Sequence, residues 1–314
     1  MTAPLIGVVV NPVARFHREF PNASARLAQL IEGRGLFEES QDLSAIPLIA
    51  KRFKEAGVEI LAISGGDGTT SHTLTGFRKI YGEAALPKLV LLRGGTMNTA
   101  ANGIGTAPGR PEQVLGRLLA SLDRGEEPEV KTMPTLDMNG QLGFITGVGV
   151  IPAFLKVYYE AGRPYPTIWI AFKLLTKTVL SALVGGKLAK RVADRVSCNV
   201  QVDGQPWPAS SYLTVGAATV PQVGFGFAPF HRCREDLSRF HVVGFTCSKY
   251  GLIWALRHII RAKPTSPKIT LQALAQEVHI QQDPGPTLYT IDGEVLEAED
   301  LHITLGPQLD VILG

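Results

Sequence analysis

Residues 58–69, Val58-Glu59-Ile60-Leu61-Ala62-Ile63-Ser64-Gly65-Gly66-Asp67-Gly68-Thr69, decide how the chain is read. The first seven form an apolar run of strand length, a turn of glycines follows, and a helical pattern continues through Tyr81. Glycines after a strand let the backbone close on a ligand, and the amides opening the next helix, read as beginning near Thr70, favour phosphate there. Asp67 would repel a bare phosphate, so its presence implies a bridging Mg2+ or a hydroxyl to be deprotonated. Taken alone, the loop is more often a tight turn between two elements.

Its surroundings repeat the arrangement. Upstream, Leu5–Val10 (LIGVVV) is a strand broken at Asn11-Pro12, and Ala23–Ile31 and Ala45–Ala56 read as helices. Downstream, the strand Leu89–Arg93 meets a second glycine pair in Arg93-Gly94-Gly95-Thr96-Met97-Asn98, and Val114–Leu122 is a further helix. Strand and helix in alternation predict a parallel sheet with helices on its faces. Neighbouring parallel strands bring their carboxyl-end loops side by side, which makes a phosphate cleft the better reading of the two loops together. Thr96 and Asn98 are then placed to donate to phosphate or ribose, although each taken singly is more often a helix cap.

Beyond Pro128 the pattern changes to short strands punctuated by Asn139-Gly140, Asp203-Gly204 and Asp292-Gly293, which is hairpin chemistry. Helical stretches at Thr167–Ala189 and Lys249–Arg261 interrupt it. The expected fold is α/β plus mostly β: an N-terminal Rossmann-like doubly wound parallel sheet over residues 1–128 and a C-terminal antiparallel β-sandwich over 129–300. A closing segment, 301–314, is able to return to the first domain. A third constellation, Thr290-Ile291-Asp292-Gly293-Glu294, would put Asp292 and Glu294 on one face of an extended chain, as a metal pair or a general base. Its plainer reading is a hairpin turn with a solvated glutamate.

With 314 residues, 45% of them apolar and 19% charged, and a mean hydropathy of +0.12, the chain can bury a sizeable core and is not a disordered tail. A net charge of +3 and a pI near 8.7 allow anionic small molecules or a membrane surface. No basic-aromatic pattern argues for nucleic acid. Cys198, Cys233 and Cys247 show neither disulfide nor metal spacing, which favours a reducing cytosol. Met1 to Pro4 has no basic leader, and the apolar stretch Tyr165–Leu188 begins at Pro166 and is interrupted by Lys173 and Lys177, so no spanning helix is expected. Lys173, Lys177, Lys187, Lys190 and Arg191 flank that stretch, and Arg257, His258, Arg261 and Lys263 follow a second one. Basic, apolar-faced helices either rest on anionic headgroups or pack in a core behind a solvated edge.

GGDGT after a strand, a GGT-x-N loop about thirty residues on and a distal IDGE together resemble the diacylglycerol kinase catalytic family, which includes bacterial soluble lipid kinases and sphingosine and ceramide kinases. Asn11-Pro12 and the closing ITLGPQLDVIL fit the same family, so the resemblance runs almost end to end. It implies a cytoplasmic enzyme, peripherally associated with a membrane, that uses ATP and Mg2+ to phosphorylate a lipid hydroxyl. It implies further that Asn11, Ser40, Gly65, Gly66, Asp67, Gly68, Thr69, Gly95, Thr96 and Asn98 surround the nucleotide. Glu294 is then the first candidate for the base, with Asp292 and Asp67 behind it, and Asp236 is what remains of a structural Mg2+ site.

The sequence departs from the family pattern at His72 and Thr99, where carboxylates are usual, at Gly149-Val150-Ile151-Pro152, and at Asp236-Leu237 in place of Asp-Gly. An NAD kinase shares GGDGT but not the distal motif. A non-catalytic lipid- or nucleotide-binding protein is the alternative of another class. Which lipid is phosphorylated and how many subunits assemble are not written in these motifs.

Overall fold

The computed structural model describes residues 4–162, 167–224 and 226–314; Met1 and the start of the apolar stretch at Tyr165 and Pro166 lie outside the described residues. Two compact units divide the chain, Met1–Met133 with Pro307–Gly314, and Pro134–Gly306.

The first unit contains β1 (Ile6–Val10), α1 (Arg15–Glu19), α2 (Ala23–Ile31), β2 (Gly35–Glu39), α3 (Ile46–Ala56), β3 (Ile60–Ser64), α4 (Asp67–Tyr81), β4 (Lys88–Leu91), α5 (Thr99–Ile104) and α6 (Pro111–Asp123). The strands are parallel in the order β4-β3-β1-β2. All five residues of β1 and of β3 are buried, as a sheet covered on both faces requires. On one face, Leu27 and Ile31 of α2 and Val114, Leu115 and Leu118 of α6 pack onto Ile6, Val8, Ile60 and Ala62. On the other, α3 and α4 pack together with the rings of Phe53 and Phe77 5.9 Å apart. Boundaries follow local chemistry. Pro47 sits in the first turn of α3 and Gly57 ends it in the left-handed region, while Gln113 accepts from the Arg110 N–H in front of α6.

Strand order reverses between β1 and β3, since β2 lies outside one and β4 outside the other. At such a switch point the carboxyl-end loops diverge and leave a crevice.

The second unit is built from β5 (Val130–Met138), β6 (Gln141–Gly143), β7 (Ile145–Gly149), α7 (Val150–Ala161), α8 (Ile168–Leu183), α9 (Lys187–Val192), β8 (Val196–Val202), β9 (Gln205–Pro206), β10 (Ser211–Tyr212), β11 (Thr214–Ala218), β12 (Phe240–Phe245), α10 (Lys249–Ile259), β13 (Thr270–Ala275), β14 (Glu277–Gln282), β15 (Thr287–Ile291) and β16 (Glu294–Ala298). β17 (Leu301–Ile312) ends the chain; it pairs antiparallel with β14 through Leu301–Thr304, and Val311 pairs in parallel with Leu89. One antiparallel sheet runs β13-β12-β11-β7-β15-β16, and a second contains β10-β8-β14-β17. Cys198, Val200 and Val202 from one sheet meet Val148, Val215, Val242 and Ile291 from the other in a shared core, which is an antiparallel sandwich. The alternation along β8, with Ser197, Asn199 and Gln201 exposed, is the half-buried pattern such a sheet demands. Asn139-Gly140, Asp203-Gly204 and Asp292-Gly293 all have positive φ at both residues, as two-residue hairpin turns need.

Several elements depart from the sequence reading. The helix expected over Thr167–Ala189 is broken: α8 stops at Leu183, and Gly185-Gly186 separates it from α9, whose first turn is tied back by the Ala189 N–H to Ser181 Oγ at 3.1 Å. The strand expected at Leu309–Leu313 is twelve residues long, because Leu301 and Ile303 continue the buried alternation ahead of Gly306-Pro307. β2, α1, α7 and β16 are elements that the sequence reading does not assign.

Candidate functional site

Three loops meet at the carboxyl ends of β1, β3 and β4. α4 opens at Asp67, three residues earlier than the expected start near Thr70, because Gly66 takes the preceding extended position and a carboxylate suits the positive end of a helix. The first-turn amides therefore belong to Asp67, Gly68 and Thr69. No amide of a helix's first turn has an intrahelical partner. Against this loop lies the second: a Cβ on Gly94 would stand 2.9 Å from Gly65 N, and one on Gly95 2.4 Å from Gly66 Cα. Only glycine permits that approach of backbone to backbone.

The surrounding side chains hold the loops in place. Asn11 donates its N–H to Ser64 O and its Nδ2 to Thr69 Oγ1, each at 2.9 Å, while its Oδ1 accepts from Val13 N. Phe16 N donates to Gly94 O at 3.0 Å, so α1 reaches the second loop. Asp67 Oδ2 accepts from Thr99 N at 2.9 Å and Oδ1 from Ala100 N at 3.0 Å. It thereby caps α5 from another element, where Asn98 at φ +48° supplies no side-chain cap of its own. Burial pushes the Asp67 carboxyl up, and the two amides pull it back the other way. The Thr99 side chain adds a further donor that pulls the Asp67 carboxyl down as well.

Asn98 spends its carboxamide on its own loop, accepting from Gly95 N at 3.0 Å and donating to Gly95 O at 3.3 Å. Arg93, at φ +41°, turns its guanidinium to Asn102 Oδ1 at 2.8 Å and to Thr106, and burial lowers its pKa. Thr96 has no side-chain hydrogen bond among the described residues. Ser40 follows β2; its N–H reaches Val10 O at 2.8 Å and its buried hydroxyl donates to Asp42 O at 3.1 Å. Gly65, Gly66, Asp67, Thr70, Arg93 and Asn98 line a small, solvent-open depression.

One residue of this cluster escaped the sequence reading. His17 Nε2 lies 2.8 Å from Ser64 Oγ, both side chains are buried, and His17 Nδ1 has no partner among the described residues. Burial lowers its pKa, against the pull of Glu39 and Glu112. The only signal for it is a histidine just after the Asn11 break.

In the second unit the acidic pair takes the plainer of its two readings, the hairpin turn. Asp292 and Gly293, at φ +46° and +95°, form the hairpin turn itself, and Glu294 pairs opposite Ile291 at the start of β16. The two carboxylates therefore do not share one face of an extended strand. Asp292 accepts from Phe144 N at 3.0 Å and Ile145 N at 2.9 Å and donates its own N–H to Ile145 O at 3.0 Å. Gly143 makes room for it, since a Cβ there would stand 2.7 Å from Asp292 Oδ2. Tyr159 donates to Gly293 O at 2.7 Å, and Glu294 is half-buried. Asp236 accepts from Ser238 N at 2.8 Å and Ser238 Oγ at 2.6 Å, bonds that hold its carboxyl below the usual range. Among the described residues no three His, Cys, Asp or Glu side chains form a group able to hold a metal ion. His72 is half-buried in the second turn of α4, and Gly149-Val150-Ile151-Pro152 is the junction of β7 and α7.

Residues 6–128 match the diacylglycerol kinase catalytic domain family. No curated protein matches the sequence. Among solved structures, the chain is similar over 100% of its length to a diacylglycerol kinase of Bacillus anthracis str. Sterne, at 16% identity and a TM-score of 0.65 with 98% of that chain covered. A second structure from the same organism, provisionally described as a diacylglycerol kinase, agrees at 18% identity and a TM-score of 0.70, again over 100% and 98% of the two chains. At such identities the likeness carries the fold alone, the α/β unit followed by the antiparallel sandwich. Residues 6–128, which hold both glycine loops, are thus similar to the diacylglycerol kinase catalytic domain.

Proposed function

We propose that the protein is an ATP-dependent lipid kinase that moves the γ-phosphoryl group to the hydroxyl of a diacylglycerol-like or sphingoid lipid at a membrane surface. The observation that carries this reading is the backbone contact of Gly94 and Gly95 with Gly65 and Gly66, at a switch point and beside the helix amides of Asp67, Gly68 and Thr69. Small residues and first-turn helix amides suit an anion of several phosphates. Bound there, ATP supplies the phosphoryl group. Among the described residues no three His, Cys, Asp or Glu side chains group to hold a metal ion, so Mg2+ would arrive on the phosphates.

Roles follow from what each side chain already does. Asn11 and Asp67 hold the loops in register, the first through Thr69 and the second through Thr99 and Ala100. Asn98 shapes the Gly95 turn, and Thr96 donates to phosphate. Glu294, half-buried at the start of β16, is the group assigned to take the proton of the attacking hydroxyl. Fixed geometry and charge screening would supply most of the acceleration.

The test is transfer of label from γ-labelled ATP to a lipid panel in mixed micelles. Glu294→Gln should lower transfer by about 10²–10⁴-fold with ATP affinity unchanged. Undiminished transfer by that variant removes Glu294 from the role. ATP binding with no labelled lipid from any acceptor would favour a binding protein, and label appearing on NAD would favour an NAD kinase.

A further inference from the structure

We propose that the outward face of α8 and α10 is a docking surface for an anionic lipid bilayer. On most surface helices the apolar stripe faces the core. α8 carries two such stripes. Ala171, Leu174, Thr178 and Ala182 are buried on one side; Trp169, Phe172, Leu180 and Leu183 recur at helical spacing on the opposite side and are exposed, Trp169 by 77%. Val184, just past the helix end, is 82% exposed. α10 packs beside α8 and does the same: Ala255 and Ile259 face inward while Tyr250 and Trp254 are exposed, Trp254 by 65%.

Charge selects the occupant. From Thr167 to Ala193 the chain has Lys173, Lys177, Lys187, Lys190 and Arg191 and no Asp or Glu; from Ser248 to Gln276 it has Lys249, Arg257, Arg261, Lys263 and Lys268 and again none. A whole-chain charge of only +3 is thus gathered on these segments. Arg191 is paired to Glu160, so its charge is partly spent. Lys173 and Lys177 lie one and two turns along from Trp169, at the edge of the exposed stripe. The Arg257 guanidinium stacks over Trp254 at 4.6 Å and Lys249 Nζ stands 5.5 Å from the Tyr250 ring centre, which holds cations level with the aromatics. Aromatic rings flanked by cations, on two segments that contain no Asp or Glu, match the headgroup layer of an anionic membrane, where each Lys or Arg contributes about 1 kcal/mol. Sixteen residues of α8 span about 24 Å, and no helix among the described residues is long and apolar enough to cross a membrane, so the contact is along the surface.

The inference explains how the proposed kinase would meet a lipid acceptor, but it stands on this face alone, and its test needs neither ATP nor acceptor. The full chain is floated with vesicles of phosphatidylcholine and with vesicles of equimolar phosphatidylcholine and phosphatidylglycerol. The protein should float with the anionic vesicles only, and less as salt rises. Trp169→Ala/Trp254→Ala and, separately, Lys173→Glu/Lys177→Glu should each weaken binding at least about tenfold, with melting temperature unchanged. Equal flotation of wild type and variants, or equal capture by neutral vesicles, overturns the proposal. So does sedimentation showing a dimer that Trp169→Ala/Trp254→Ala makes monomeric without any flotation, which would assign the face to a second copy of the chain.

Discussion

Asp67 and Asp292 stand in the two most conspicuous motifs, and each uses both carboxylate oxygens on backbone amides contributed by a different part of the chain. Asp-Gly looks the same from sequence whether its carboxylate reacts or supports. Asp292 also sits at φ +46°, a conformation that Asp and Asn tolerate and alanine does not favour. Asp292→Ala should strand two buried N–H donors and cost about 2–4 kcal/mol, read as a fall of about 5–10 °C in the melting temperature. Asp292→Asn keeps one acceptor and the turn, so it should melt within a few degrees of wild type and retain lipid phosphorylation. A stable Asp292→Asn protein without activity would return Asp292 to the chemistry.

Elements explain why the glycine loops work as a pair. Each loop ends a strand and opens a helix, and the helix after the second, α5, is capped by Asp67 of the first. Gly95→Ala would drive a methyl group to 2.4 Å from the Gly66 backbone, where no flexible side chain can yield. The loops must then part. Isothermal calorimetry should show ATP affinity falling at least about tenfold, and circular dichroism should show an intact fold; unchanged affinity would separate the loops from nucleotide binding. The helices show the same dependence on partners. α8 ends where Gly185-Gly186 interrupts the pattern, so a single long apolar stretch becomes two helices with a face left over.

At the scale of the whole molecule, each unit buries a histidine that stays neutral. His241 is fully buried, its Nδ1 accepts from Arg232 N, and Nε2 meets Gln272 Oε1; burial first, and then the neighbouring His231 and Arg232, lower its pKa to about 4. Because the folded value lies below the unfolded value near 6.5, the unfolded chain binds the extra proton first. Stability is therefore complete above about pH 6.5 and lost as pH falls toward 4, by about 3 kcal/mol from this group. His17 in the first unit acts in the same direction, since burial lowers it also. Urea melts between pH 7 and 4.5 should show that acid limb, and His241→Gln should flatten it. A wild-type stability level across that range would contradict the burial of both rings as neutral groups.

The parallel sheet, the sandwich and its hairpins were legible because they rest on local signals: all-buried apolar runs in β1 and β3, period-two alternation in β8, and Asx-Gly turns that need positive φ. The two glycine loops were legible as candidate ligand loops for the same reason, since glycine after a strand is a statement about backbone space. His17 against Ser64 was not legible, nor was the capping of α5 by Asp67 across 32 and 33 residues, because no short-range pattern records which distant amide a side chain will meet. Sequence alone thus settled the kinds of element and the places where backbones approach closely. Tertiary structure alone decided which carboxylates are tied to amides, and which of two apolar stripes on α8 faces water, because burial and hydrogen-bond partners are properties of packing between segments far apart in the chain.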